Sequence, residues 1–110
     1  MIKMNDLIEI NMLFDKGRVI NESSLDFAIA EANATKDWIK QLAYLTRAIL
    51  IDHAFEEGNK RTAAALIKGM VDVHKLACDM YKVDSIIIKI IKENIADINK
   101  IRRLIKNAIE

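Results

Sequence analysis

The sequence predicts an all-α fold: a single domain over residues 1–110, built as a compact bundle of about six helices around a central helix at about 59–80. Three observations predict it. Proline is absent and glycine occurs only at 17, 58 and 69, so little in the chain breaks a helix. Apolar residues recur three and four positions apart in most segments, the spacing of one helix face. Finally, 52% hydrophobic and 30% charged residues in a chain of 110 supply one core and leave no room for a second.

Taken in order, Leu7, Ile10 and Phe14 mark a first helix that ends at Asp15-Lys16-Gly17, with Gly17 suited to the left-handed closing position. Arg18 to Asn21 is too short to assign. Ser23 or Ser24 caps a short helix through about Ala32, Asn33-Ala34-Thr35 is a loop, and Thr35 caps the next helix. Residues 36–51 form the clearest amphipathic helix, with Trp38, Leu42, Leu45 and Ile49 on one face and Lys40, Gln41, Tyr44 and Arg47 on the other. From about 59 to 80 the polar residues Arg61, Lys68, Asp72, Lys75 and Asp79 follow one stripe, which predicts a helix wrapped by its neighbours. Lys68–Asp72 and Lys75–Asp79 read as i,i+4 pairs on it. Trp38, Met70, His74 and Cys78 are expected in the core. Two more helices follow, at about 84–94 opened by Asp84 and about 97–109 opened by Asp97; Ile98, Ile101, Ile105 and Ala108 form the buried seam of the last.

Seventeen Lys and Arg against sixteen Asp and Glu give a net charge of +1. This balance argues against a general nucleic-acid binder, which needs a basic excess, and no apolar run is long enough to span a membrane. A lone cysteine excludes an internal disulfide and suits a reducing compartment. A soluble, cytoplasmic protein is expected.

The stretch that carries chemistry is His53-Ala54-Phe55-Glu56-Glu57-Gly58-Asn59-Lys60-Arg61-Thr62, between the amphipathic and central helices. Gly58 allows a positive φ and close approach of a backbone, and Asn59 suits a cap. The free N–H groups of the following helix start, with the dipole behind them, make an anion site. Lys60 and Arg61 in that first turn oppose the dipole by about 0.3–1 kcal/mol each, which makes sense when an anion lies over the helix start. His53 can take a proton near neutral pH, and Glu57 can hold a divalent cation against phosphate oxygens. Base, carboxylate and anion cradle together describe transfer of a phosphate-containing group to a hydroxyl.

The same stretch resembles the motif of the Fic/Doc family, His-x-Phe-x-(Asp/Glu)-Gly-Asn-(Gly/Lys)-Arg. His53, Phe55, Gly58, Asn59, Lys60 and Arg61 match in fixed register, which chance produces at roughly one in a million for this length, with each residue type at about 1/20 of usage; Glu57 adds a seventh match. The likeness covers 53–62 as motif and about 5–109 as a Fic/Doc-like architecture, with Ser24-Leu25-Asp26-Phe27-Ala28-Ile29-Ala30 similar to the family's upstream helix. The resemblance implies ATP as substrate with Mg2+, His53 as general base, Phe55 as buried anchor of the loop, Glu57 as metal ligand, Gly58 and Asn59 as anion hole, and Lys60 and Arg61 as phosphate contacts. It also implies a target protein bearing an acceptor Ser, Thr or Tyr, and a small antitoxin as partner of a toxin.

Three positions depart from the AMP-transferring form of the family: Ala54 stands for its usual Pro, Lys60 for its second Gly and Ala64 for its second Arg. They favour the death-on-curing branch, whose members transfer a phosphoryl group. AMP transfer by the same site is the alternative, and a catalytically weak or inactive helical module that binds nucleotide or a partner is another. Only about Glu31 to Lys36 is available for the flap that docks the target by strand addition. The family's inhibitory motif, (Ser/Thr)-x-x-x-Glu-(Gly/Asn), does not occur, so the resemblance assigns restraint to a partner.

Overall fold

Aspartates set three of the helix starts. Asp37 accepts hydrogen bonds from the N–H groups of Ile39 and Lys40, Asp79 from Tyr81 and Lys82, and Asp97 from Asn99 and Lys100. Each satisfies two donors that the helix itself leaves open. A computed structural model of the chain describes residues 1–109, among which lie six helices and no strand: α1 (Met4–Asn11), α2 (Glu22–Ala34), α3 (Trp38–Leu50), α4 (Asn59–Val73), α5 (Met80–Lys92) and α6 (Ile98–Asn107). The radius of gyration, 12.4 Å, is close to the roughly 13 Å of a single 100-residue domain. No helix among the described residues is long and apolar enough to cross a membrane.

The middle of the bundle is α3, not the helix the sequence singled out. Helices α2, α4 and α6 all pack on α3, and none of its residues is exposed. Two of its polar side chains are held by partners: Gln41 donates from Nε2 to the Thr35 carbonyl (2.9 Å), and Arg47 lies over the Tyr44 ring and reaches the Ala96 carbonyl. Helix α4 packs between α1, α3 and α5, but Lys60, Arg61, Lys68, Gly69, Asp72 and Val73 remain exposed.

The expected helix at 59–80 stops at Val73. Lys75 takes a left-handed φ of 58°, its N–H returns to the Asp72 carbonyl and that of Leu76 to Val71, the paired bonds of a Schellman closure. The Lys68–Asp72 pair forms at 2.7 Å, whereas Lys75–Asp79 does not, because Asp79 caps α5. Helix α5 therefore starts at Met80 rather than near Asp84, and it closes in the same way through Asn94 at φ 51°. His74 is exposed, not in the core. It stacks on Trp38 with centroids 4.0 Å apart and an interplanar angle of 11°. Trp38, Met70 and Cys78 are half-buried.

At the other boundaries, α1 ends at Asn11, and the turn Met12–Asp15 leads to Gly17 at φ 72°. The exposed Phe14 thus leaves the helix face it was expected to share with Leu7. Asn21, not a serine, caps α2, and Asp37, not Thr35, caps α3. Asp97 opens α6 as expected, with Ile101, Ile105 and Ala108 buried. Arg102 ties α6 back to the start of α3 through Nε to Asp37 Oδ2 at 2.7 Å. Burial alone would raise the Asp37 carboxyl. The Arg102 hydrogen bond, the N–H groups of Lys40 and Ile39 and the guanidinium charge outweigh it and hold the group below the ordinary carboxylate value.

Candidate functional site

Between α3 and α4 the chain runs from His53 to Gly58 in a loop fastened at each residue from Ala54 to Glu57. His53 takes a left-handed φ of 54°, uncommon for a residue with a Cβ, which holds its exposed side chain at the loop's outer turn. Ala54 and Phe55 are fully buried. The Ala54 carbonyl accepts from the N–H of Ile20 (2.8 Å) and of Asn21 (3.2 Å), and the Glu56 N–H donates to Arg18 (2.9 Å). The short segment 18–21, unassignable from sequence, is therefore the edge that holds the loop, paired antiparallel at Val19 and Phe55.

The Asn59 amide closes the loop on itself. Its Oδ1 accepts from the Phe55 N–H (3.0 Å) and its Nδ2 donates to the Phe55 carbonyl (2.8 Å). Asn59 is the first residue of α4 rather than its cap, and with its side chain committed to Phe55 it can offer a ligand only its backbone N–H. Gly58 is the capping position, at φ 75°, where any Cβ would be strained and would come within 3.3 Å of Asn11 Nδ2. The first bond of the helix runs from the Thr62 N–H to the Gly58 carbonyl (2.9 Å), and no side chain caps this end. The N–H groups of Asn59, Lys60 and Arg61 precede that bond, which leaves the partial positive charge of the helix unopposed.

Over this start lies an open cavity of about 490 Å3. His53, Glu57, Gly58, Asn59, Lys60 and Arg61 line it, together with Phe14 and Asp15 from the turn after α1. Of the seven sequence-expected residues, only Phe55 lies elsewhere, beneath the loop in the core. Lys60 and Arg61 are exposed, and among the described residues neither forms an ion pair. The two adjacent glutamates divide: Glu56 faces Arg18 at 3.8 Å, while Glu57 lines the cavity. The chain matches no protein-family model, no curated protein and no solved structure.

Chemically the cavity offers a titratable ring, two carboxylates and two cations around an uncapped helix start. Among the described residues no three of His, Cys, Asp and Glu converge on a metal position. The donor set nevertheless fits a hard cation shared with a ligand: Glu57 and Asp15 border the same space as the groups suited to phosphate, and Mg2+ usually takes one or two carboxylates with phosphate oxygens and water. Sequence reasoning missed Phe14 and Asp15, because Phe14 was expected on the buried face of a first helix that ends only at Asp15-Lys16-Gly17. It also missed Asn11 and Thr62, which lie behind the cavity wall. Asn11 had a signal, since a polar residue four positions from Leu7 sits on the apolar face of α1.

Proposed function

We propose that the chain is a Fic/Doc-type transferase that moves a phosphoryl group from ATP to a Ser, Thr or Tyr hydroxyl of a target protein, acting as a toxin in the cytoplasm under restraint by a small antitoxin. One observation carries this reading: His53, Glu57, Gly58, Asn59, Lys60 and Arg61 all border one cavity over an uncapped helix start. A surface loop of unrelated purpose has no reason to gather a base, a carboxylate and two unpaired cations around exposed N–H donors.

In this reading the phosphates of ATP lie over the α4 start, against the backbone N–H groups and the side chains of Lys60 and Arg61. Glu57, with Asp15 on the same cavity, would hold Mg2+, which supplies neutralisation of charge on the phosphate oxygens. His53 takes the proton of the acceptor hydroxyl as that oxygen bonds to the γ-phosphorus. The bond from the γ-phosphorus to its bridging oxygen breaks, its electron pair stays with that oxygen, and ADP leaves. Phe55, fully buried, and the two Asn59 bonds keep the loop in register while this happens.

The test is incubation of the protein with a cell lysate and ATP labelled at either the α- or the γ-phosphate, read by mass spectrometry of modified hydroxyls. Label from the γ-phosphate on a protein supports the proposal, and label from the α-phosphate replaces it with AMP transfer. His53→Ala is expected to lower labelling by about 10²–10⁴-fold with the melting temperature unchanged, because the side chain is exposed. Undiminished labelling in that variant would remove His53 as the base, and labelling no greater than in lysate alone would leave a helical module that binds nucleotide or a partner without catalysis.

A further inference from the structure

Asn11 is the last residue of α1, and its side chain is completely buried against the back of the motif loop. Its Nδ2 donates to the Glu57 carbonyl (2.9 Å) and to Thr62 Oγ1 (3.0 Å), and its Oδ1 accepts from the Gly17 N–H (2.8 Å). Both amide hydrogens are thus used. Thr62 Oγ1 passes its own hydrogen to the Gly58 carbonyl at 2.8 Å. One side chain therefore fixes, directly or through Thr62, the carbonyls of Glu57 and Gly58. Among the described residues no peptide is cis, and a trans peptide is close to planar, so fixing those carbonyls also sets the directions of the Gly58 and Asn59 N–H groups.

The opposite wall rests on the backbone of the same residue. The Asn11 backbone carbonyl accepts from the N–H groups of Phe14 (2.9 Å) and Asp15 (2.8 Å), which places both in the turn that borders the cavity. Burying an amide costs free energy that a leucine at this position would not, unless its bonds are made. Here the side-chain bonds run to Glu57 on the cavity, to Thr62 behind it and to Gly17, just past the turn that carries Phe14 and Asp15.

Resting on the nucleotide reading above, we propose that Asn11 is a positioning residue that holds the Glu57–Gly58 corner opposite Asp15 and so sets the cation half of the site. Lys60 and Arg61 project from α4 itself and depend on Asn11 far less. Loss of Asn11 therefore removes the magnesium-dependent part of ATP binding and spares most of the magnesium-free part. A role confined to packing would weaken both parts together or neither.

The experiment is calorimetric titration with ATP, in magnesium and again in EDTA, on the wild type, Asn11→Ala, Glu57→Gln and Lys60→Ala, with helical content followed by circular dichroism. Wild type is expected to bind ATP about tenfold more tightly with magnesium, a ratio that Asn11→Ala reduces to that of Glu57→Gln. Lys60→Ala is expected to lower affinity in both conditions and keep the ratio. Should Asn11→Ala not fold, Thr62→Val carries the test, since it removes the link to Gly58. It is expected to reduce the ratio, and Thr62→Ser to restore it. A wild-type ratio in folded Asn11→Ala or Thr62→Val, or no magnesium effect in wild type, overturns the role of Asn11 while leaving ATP binding in place. No ATP binding by wild type in either condition overturns the nucleotide reading and this inference with it.

Discussion

Helices α5 and α6 begin in one way and α4 in another. At Asp79 and Asp97 a carboxylate accepts from two backbone N–H groups and sets a negative charge against the positive end of the helix. At α4 the capping position is Gly58, which has no side chain to give, and the next two exposed residues are cations, Lys60 and Arg61. The first kind of start is finished within the chain. The second has unmet donors and charges of the wrong sign for stability, beside a cavity of about 490 Å3. The contrast teaches where the fold spends a helix end on stability and where it reserves one for a ligand.

Substitutions at the two kinds of helix start are expected to act on different properties. The largest effect is expected from Lys60→Ala combined with Arg61→Ala. A charged hydrogen bond contributes about 1.5–3 kcal/mol, so ATP affinity should fall by well over tenfold. Thermal stability should hold or rise slightly, because two cations leave the positive end of a dipole. A fall in stability with affinity unchanged would put both side chains in a structural role.

Next in size, Asp79→Ala and Asp97→Ala should each lower unfolding free energy by about 1 kcal/mol in denaturant titration, with no change in ATP affinity. Loss of affinity in either variant would erase the distinction between the two kinds of helix start.

The smallest effect concerns Asp37 and Arg102, 2.7 Å apart between α3 and α6. The folded-state pKa of Asp37 is lowered, so its contribution is present above the unfolded carboxylate value and is lost as pH falls through the folded one. Unfolding followed from pH 6 to pH 2 should show a loss of stability that is shallower in Arg102→Met. Parallel curves would mean that the pair contributes nothing across that range, as many partly exposed ion pairs do.

Much of this arrangement is legible in the sequence because local chemistry sets it. The Asp97 cap, the Lys68–Asp72 pair, the small number of breakers and the positive φ at Gly58 follow from residue types and spacing alone. So does the gathering of His53, Glu57, Lys60 and Arg61, since all lie within nine positions around one turn and one helix start. What stayed hidden depends on tertiary partners. Lys75 ends α4 in a left-handed conformation that sequence assigns to glycine or asparagine. Gln41 and Arg47 look solvent-facing in α3, yet each is held by a carbonyl, Gln41 by that of Thr35 and Arg47 by that of Ala96. Segment 18–21 gains its structure only from the motif loop it pairs with, 36 residues away at Val19 and Phe55. Asn11 likewise has meaning only once Glu57 and Thr62 are beside it.

Calorimetric titration of ATP into the wild-type protein and into Asp97→Ala, against the Lys60→Ala, Arg61→Ala double variant, tests the reserved helix start most directly. Saturable binding in the first two and its loss in the third is the expected result. Equal heats in all three, or none in wild type, would contradict a phosphate site at the start of α4.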